Sequence, residues 1–376
     1  MLSLVPPVGS RVRLDTSYSP AFIRRLDVRL FSSGTAALAA ALHSVARAQD
    51  DIKEVLIPAY GCPALVAAAL HAGMKPVLVD LAPGSPFPSE SILNASVSGS
   101  WVALVSVNFL GLPPPVSTWN AFGGNRPSAY HIYDCCQGWP EGAACPDWAH
   151  ATVVSFGRGK PISLGGGGGV IFNRKLHDPV TLAPEPVGRS QGALGFRLRS
   201  VLYNAVLDPR IFYWIDKVPG LHIGETKYEA LESVEAMSDQ TRMHLAANIA
   251  AYEQEAKPWT VGRVREHIGS GPFGSFRHLN AFRDCSPDVR LLRLPLLAES
   301  NIQRDSAVTQ LRRAGFAATA MYRAPLWTFA GLEFLIPFEE RCPNAADFAD
   351  RLLTLPLHAG VSERMLHDLV MRLALL

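Results

Sequence analysis

The chain has 376 residues, 48% of them apolar and 18% charged, with a formal net charge of +2 at pH 7. That is material for a large core spread over two or three domains at about 150 residues each, and it excludes a disordered chain. Near-neutral charge argues against a nucleic-acid binder or a polybasic membrane anchor, and no apolar run approaches the roughly 18 residues of a membrane span. The six cysteines include no pair of CxxC motifs at zinc spacing, which reads as free thiols in a reducing compartment. The opening MLSLVPPVGSRVRLD has too short an apolar run for a secretory signal. The expectation is a cytoplasmic enzyme.

Residues 1–30 read as an irregular N-terminal segment containing proline and arginine. From Phe31 the texture changes. SSGTAALAAALHSVARA is a helix whose start carries Ser33, Gly34 and Thr35, with Leu38, Ala41, Leu42 and Val45 on one face. EVLIPAY is a buried strand, PALVAAALHAG a second helix, KPVLVDL a second strand, and WVALVSVNFLG and AYHIYDCC a third and a fourth. ATVVSFG and GGGGGVIFN follow as a fifth and a sixth. Strand alternating with helix predicts a mainly parallel sheet with helices on both faces. Helix-like segments at 195–217 and 232–256, joined by VPGLHIGE, suggest a helical connector over 191–260. Beyond it, strands in VRLLRLPLL and ADRLLTLPLHAG and helices in SNIQRDSAVTQLRRAG and VSERMLHDLVMRLAL suggest a small C-terminal α/β domain, 261–376, beside a large domain at 31–190.

Three stations carry chemistry. Ser33-Gly34-Thr35-Ala36 opens a helix, where free amides and the dipole favour an anion; a phosphate cradle and a plain N-cap are both compatible with it. In YDCCQG, Asp134 ends an apolar strand with Gln137 three residues on, at the carboxyl edge where open sheets bind ligands; the alternative is an aspartate capping a turn. In SFGRGKPISLGGGGG, Lys160 stands in a tight turn, where a desolvated lysine can act as a Schiff-base nucleophile. The glycine run that follows suits backbone pressed against a ligand or another chain. A phosphate cradle, a carboxylate for a pyridinium nitrogen and such a lysine are the handles pyridoxal 5′-phosphate requires. The 26-residue separation of Asp134 and Lys160 fits neighbouring strand ends. Cys135 and Cys136 read as small buried hydrophobes rather than a redox pair. The aromatics Tyr203, Phe212, Tyr213 and Trp214 read as packing for the connector or an interface.

In order, SGTAALAAAL, EVLIPAYGCPALVAAALHAGMKPVLVD, VSVNFLGLP, YDCCQG, VSFGRGKPISLGGGGGVI and ADRLLTLPLHAGVSERML resemble the DegT/DnrJ/StrS family of pyridoxal-phosphate sugar aminotransferases. The resemblance implies an aspartate-aminotransferase-like α/β fold of type I, with active sites at a homodimer interface. It implies Lys160 as the catalytic, cofactor-bearing lysine, Asp134 at the pyridine nitrogen and Gln137 at the ring's phenolic oxygen. Gly34, Thr35, the Ala36 backbone and Ser155 would hold the phosphate. It also implies glutamate or glutamine as amino donor and a nucleotide-linked keto sugar as acceptor, in polysaccharide or secondary-metabolite biosynthesis. Departures mark a divergent GRGKP-type branch. Cys62 stands where the family often has a stacking aromatic, leaving Tyr60 as a substitute. Asn108 replaces the usual histidine at the substrate side, and the partner-chain asparagine block has no clear match in 222–242. Arg158 is placed to bind a donor carboxylate or the phosphate, or to form a structural ion pair. Related branches are sugar dehydratases with histidine at the lysine position, which Lys160 disfavours. A non-catalytic regulator on the same fold would lack Lys160 or Asp134.

Overall fold

The computed structural model describes residues 7–16, 27–48, 54–96, 103–125, 129–173, 192–215, 226–269, 271–335 and 342–376. Its centre is a seven-stranded sheet of β1 (Val28–Phe31), β2 (Glu54–Pro58), β3 (Lys75–Val79), β4 (Ala103–Val107), β5 (Tyr130–Asp134), β6 (Ala151–Ser155) and β7 (Gly168–Phe172), in the order β1-β7-β6-β5-β4-β2-β3. β2 to β6 are parallel; β7 runs against both β6 and β1. The mainly parallel sheet is therefore as expected, with one addition. Val28–Phe31, inside the segment read as irregular, is an edge strand. It is short and carries Arg29, so no apolar run announces it.

The strands alternate between two apolar layers, as a sheet covered on both faces must. Val55 and Ile57 of β2 and Ala103 and Val105 of β4 point into one layer, and Leu56 and Leu104 into another. On the first face lie α1 (Gly34–Ala48) and α2 (Ala64–His71), whose alanines let helix backbone approach the sheet closely. On the opposite face lie α3 (Glu90–Ala95) and α4 (Val116–Asn125), which bring Leu93, Trp119 and Phe122. That face continues under α5 (Ala193–Val206) and α7 (Asp239–Glu253), with α6 (Pro209–Ile215) between them in sequence. Phe196, Leu245 and Ile249 pack there against Val154, Phe156 and Leu164. The stretch read as a connector thus covers the second face of the large sheet. The VPGLHIGE turn, the boundary placed between residues 190 and 191 and the start of the 222–242 block lie outside the described residues.

A second, antiparallel sheet has the order β10 (Leu352–Pro356), β9 (Arg293–Leu297), β8 (Arg277–His278). Around it stand α8 (Val261–Ile268), α9 (Asn280–Asp284), α10 (Asn301–Arg313), α11 (Pro343–Arg351) and α12 (Glu363–Leu373). Loops tie the two sheets together: Leu326 N–H donates to the Ala59 carbonyl at 2.9 Å and Leu292 N–H to the Leu110 carbonyl at 2.9 Å. No helix among the described residues is long and apolar enough to cross a membrane.

Candidate active site

The three stations meet at the carboxyl ends of β4, β5 and β6. The first turn of α1 is capped by Ser33, whose Oγ accepts from Ala36 N–H at 3.0 Å. The N-cap expected at this helix start is thus formed. The Ala36 amide, expected at the phosphate, is taken by Ser33, which leaves the amides of Gly34 and Thr35 at the helix start. Gly34 is pressed against the end of β6. A Cβ there would lie 2.8 Å from Ser155 Cβ, 2.9 Å from Ser155 Oγ and 3.2 Å from Cys136 Sγ. The glycine run is accounted for by the same contact: a Cβ on Gly168 would lie 2.5 Å from the Ser33 carbonyl oxygen and 2.6 Å from Gly34 N. These glycines let β7 seat the helix start directly beside β6.

Asp134 ends β5 and is 7% exposed. Its Oδ1 accepts from Cys136 N–H at 2.9 Å, the turn-capping bond, and its carbonyl accepts from Asn108 N–H at 2.8 Å. Burial, then the Asp134 charge, push the Cys136 thiol well above its ordinary value, with the Lys160 charge acting the other way. The lysine, the carboxylate and the thiol thus share one electrostatic neighbourhood. Burial pushes Cys135 up to about 12. Neither cysteine ionises readily, as expected of small buried hydrophobes.

Lys160 is half-buried in a loop fixed at several points. Its carbonyl accepts from Ser163 Oγ at 2.9 Å, and Gly159 N–H donates to Tyr203 Oη at 3.3 Å. Tyr203 also donates to Ser163 Oγ at 3.2 Å, so this connector aromatic clamps the lysine loop. Lys160 and Gln137 line a cleft of about 800 Å³ between the two sheets, with Arg11, Arg13, Trp259 and His358 on its other walls. Gln137 is fixed at both ends: Oε1 accepts from Leu110 N–H at 2.8 Å and Nε2 donates to Tyr322 Oη at 3.3 Å.

Three expected residues have other roles. Tyr60 does not face the cleft. It is 3% exposed, donates its hydroxyl to the Tyr322 carbonyl at 3.0 Å, and meets Tyr322 and Phe348 edge-on. Asn108 is a turn-former. Its Oδ1 accepts from Gly111 N–H at 2.9 Å, and its Nδ2 donates to the Gly111 carbonyl and to Tyr133 Oη, at 3.1 and 2.9 Å. With both amide protons engaged it has no donor left for a substrate. Arg158 is exposed, is not among the residues lining the cleft, and makes no ion pair with a described residue.

Sequence reasoning missed Tyr322 and the segment around Arg11 and Arg13. Tyr322 reaches Gln137 across 185 residues of sequence, which no local pattern signals.

The residues present fit pyridoxal phosphate by the chemistry of the donor set. A helix start adjoins a serine hydroxyl, and a buried carboxylate at the neighbouring strand end lies near a half-buried lysine. No group of three or more His, Cys, Asp or Glu suited to a metal ion occurs among the described residues.

Residues 20–182 match the model of the DegT/DnrJ/EryC1/StrS aminotransferase family, which bears out over that stretch the resemblance read in the sequence. No curated protein matches significantly. A candidate sugar aminotransferase of Streptococcus pneumoniae in its PMP form is similar in structure, with TM-score 0.70 at 15% identity, over 99% of this chain and 96% of that one. DesV of S. venezuelae is similar with TM-score 0.65 at 17% identity, over 97% and 91%. DesI, solved with its TDP-sugar product, is similar with TM-score 0.65 at 15% identity, over 100% and 94%. At these identities the likeness establishes the fold: the mainly parallel α/β architecture of pyridoxal-phosphate aminotransferases.

Proposed function

We propose that this chain, carrying the aminotransferase family match over residues 20–182, is a pyridoxal-phosphate-dependent aminotransferase that moves an amino group from glutamate or glutamine to a keto sugar, nucleotide-linked, in polysaccharide or secondary-metabolite biosynthesis. The observation that carries the reading is the convergence of Lys160, Asp134, Ser155 and the Gly34–Thr35 helix start on one edge of the sheet. Two of the similar structures, a candidate sugar aminotransferase and an enzyme solved with its TDP-sugar product, support the sugar acceptor.

Bound there, pyridoxal phosphate supplies an electron sink for the carbon bearing the amine. The chain supplies the rest. The Gly34 and Thr35 amides and Ser155 Oγ bind the phosphate, aided by the helix dipole. Asp134 accepts a hydrogen bond from the protonated pyridine nitrogen and holds that proton. Gln137, fixed at both ends, would meet the ring's phenolic oxygen. Lys160 would be the residue that carries the cofactor covalently, and its Nζ, when free, would accept and return the proton of the substrate Cα as general acid and base.

The active form is a homodimer. Leu194, Leu198, Val201 and Leu202 of α5 are 81%, 59%, 56% and 57% exposed, and Trp214 of α6 is 70% exposed. Such a stripe, at the spacing of one helix face, is more apolar surface than a solvated monomer carries. A stable dimer there buries more than about 2,000 Å².

Two measurements test the reading. Purified protein is expected to absorb as a lysine-bound cofactor and to bleach on adding glutamate or glutamine, with colour restored by a nucleotide keto sugar. A protein that takes up no pyridoxal phosphate refutes the enzyme. Sedimentation at micromolar concentration is expected to give twice 40.7 kDa. An active monomer refutes the dimer.

A further inference from the structure

The lining of the cleft includes a strap, Gly9 to Arg13, that belongs to no sheet. Two asparagines hold it. Val12 N–H donates to Asn204 Oδ1 at 2.8 Å, and the Val12 carbonyl accepts from Asn204 Nδ2 at 2.9 Å. Arg13 repeats the pattern with Asn248: its N–H donates to Oδ1 at 2.9 Å and its carbonyl accepts from Nδ2 at 3.0 Å. Upstream, Ser10 Oγ accepts from Ser163 N–H at 2.8 Å, three residues from Lys160. Gly9 has φ +138°, and a Cβ there would lie 2.4 Å from Tyr203 Oη, so the start of the strap is seated where only glycine fits.

Val12, 4% exposed, is buried against the layer that also holds Phe156 and Ile162. Its neighbours Arg11 and Arg13 are exposed and line the same cleft as Lys160. Neither guanidinium has a hydrogen bond or an ion pair with a described residue. Arg290, which lines the same cleft, differs. It donates to the carbonyls of Tyr252 and Glu253 and stacks 4.6 Å from the Tyr252 ring centroid, so its charge is committed to the fold. The strap therefore presents two uncommitted cations on backbone locked by four side-chain hydrogen bonds. That preorganisation suits recognition of an anion: the ordering cost is met in folding, and guanidinium forks match phosphate and carboxylate oxygens.

We propose that Arg11 and Arg13 form a clamp for the doubly negative part of the substrate, a diphosphate or a dicarboxylate, held outside Lys160. The assignment rests on the reading of Lys160 as the reactive group. It makes the strap a determinant of which substrate enters.

The test is calorimetric titration of the cofactor-loaded protein with inorganic pyrophosphate and, separately, with glutarate, for the natural sequence and for Arg11→Gln, Arg13→Gln and the double variant. Each single change is expected to weaken anion binding about tenfold, the double change more, with the cofactor absorbance retained. Arg13→Lys is expected to keep part of the affinity. Loss confined to pyrophosphate assigns the clamp to a phosphorylated acceptor; loss confined to glutarate assigns it to the donor. The clamp is overturned if the natural protein binds neither probe, if the double variant binds as tightly as the natural one, or if binding and cofactor absorbance are lost together. Should the natural protein take up no cofactor, the aminotransferase reading fails, while the pyrophosphate comparison still decides the clamp.

Discussion

The Asp134 carboxylate caps its own turn through Cys136 N–H, and in the function proposed above it would also hold a proton on the cofactor ring. Asn at this position retains an oxygen for the cap but brings no charge to the ring nitrogen. A hydrogen bond to a charged group contributes about 1.5–3 kcal/mol, or roughly ten- to a hundredfold in rate. Asp134→Asn is expected to fold and to bind cofactor, and to slow the donor half-reaction by at least that factor in stopped-flow absorbance. A rate within twofold of normal would reduce Asp134 to its turn. At this scale the residues legible in the sequence were those marked by backbone punctuation: Asp134 at a strand end, Lys160 in a glycine turn, Gly34 at a helix start. The contacts of Tyr60 with Tyr322, of Asn108 with Gly111 and Tyr133, and the exposure of Arg158 follow from side-chain direction. Spacing along the chain does not encode that.

Among the elements, the junction of the large sheet with α11 rests on one buried acid. Asp80, just after β3 and 8% exposed, accepts from Ala345 N–H at 2.8 Å through Oδ1. Its Oδ2 accepts from Asn344 N–H at 3.2 Å and Asn344 Nδ2 at 2.9 Å. It thereby caps the start of α11 from 264 residues away in sequence, with its charge at the positive end of the helix dipole. Asp80→Ala leaves those donors without a partner and is expected to cost about 2–3 kcal/mol in chemical denaturation. A loss under about 0.5 kcal/mol would show that water replaces the cap. β2 to β7 and the helices at 34–48, 239–253, 301–313 and 363–373 were readable because each has a sustained apolar period or run. β1, β8 and α9 were not, because charged residues (Arg29, Arg277, Arg283) interrupt them and their neighbours in the fold specify them.

Over the whole molecule, buried imidazoles couple stability to pH. Burial pushes His131 and His278 down to about 4, each 5% exposed in a different layer of the protein. In the unfolded chain they protonate near pH 6.5. Between those values the unfolded state binds more protons, so stability falls as pH is lowered from about 6.5 towards 4, and the contribution is constant above that window. The thermal midpoint is expected to drop across this window, and the drop to be shallower in His278→Phe, whose ring would keep the stacking on Phe282. Equal slopes in the two proteins would assign the pH dependence to other groups.

The central claim is that Lys160 carries pyridoxal phosphate at the edge of the large sheet. Borohydride reduction of the cofactor-loaded protein, followed by proteolysis and mass mapping, tests it most directly. A single pyridoxyl-labelled peptide containing Lys160 is expected, and no label in Lys160→Ala. A label on another lysine, Lys175 for example, or a Lys160→Ala protein that is still labelled and still transaminates, would contradict it.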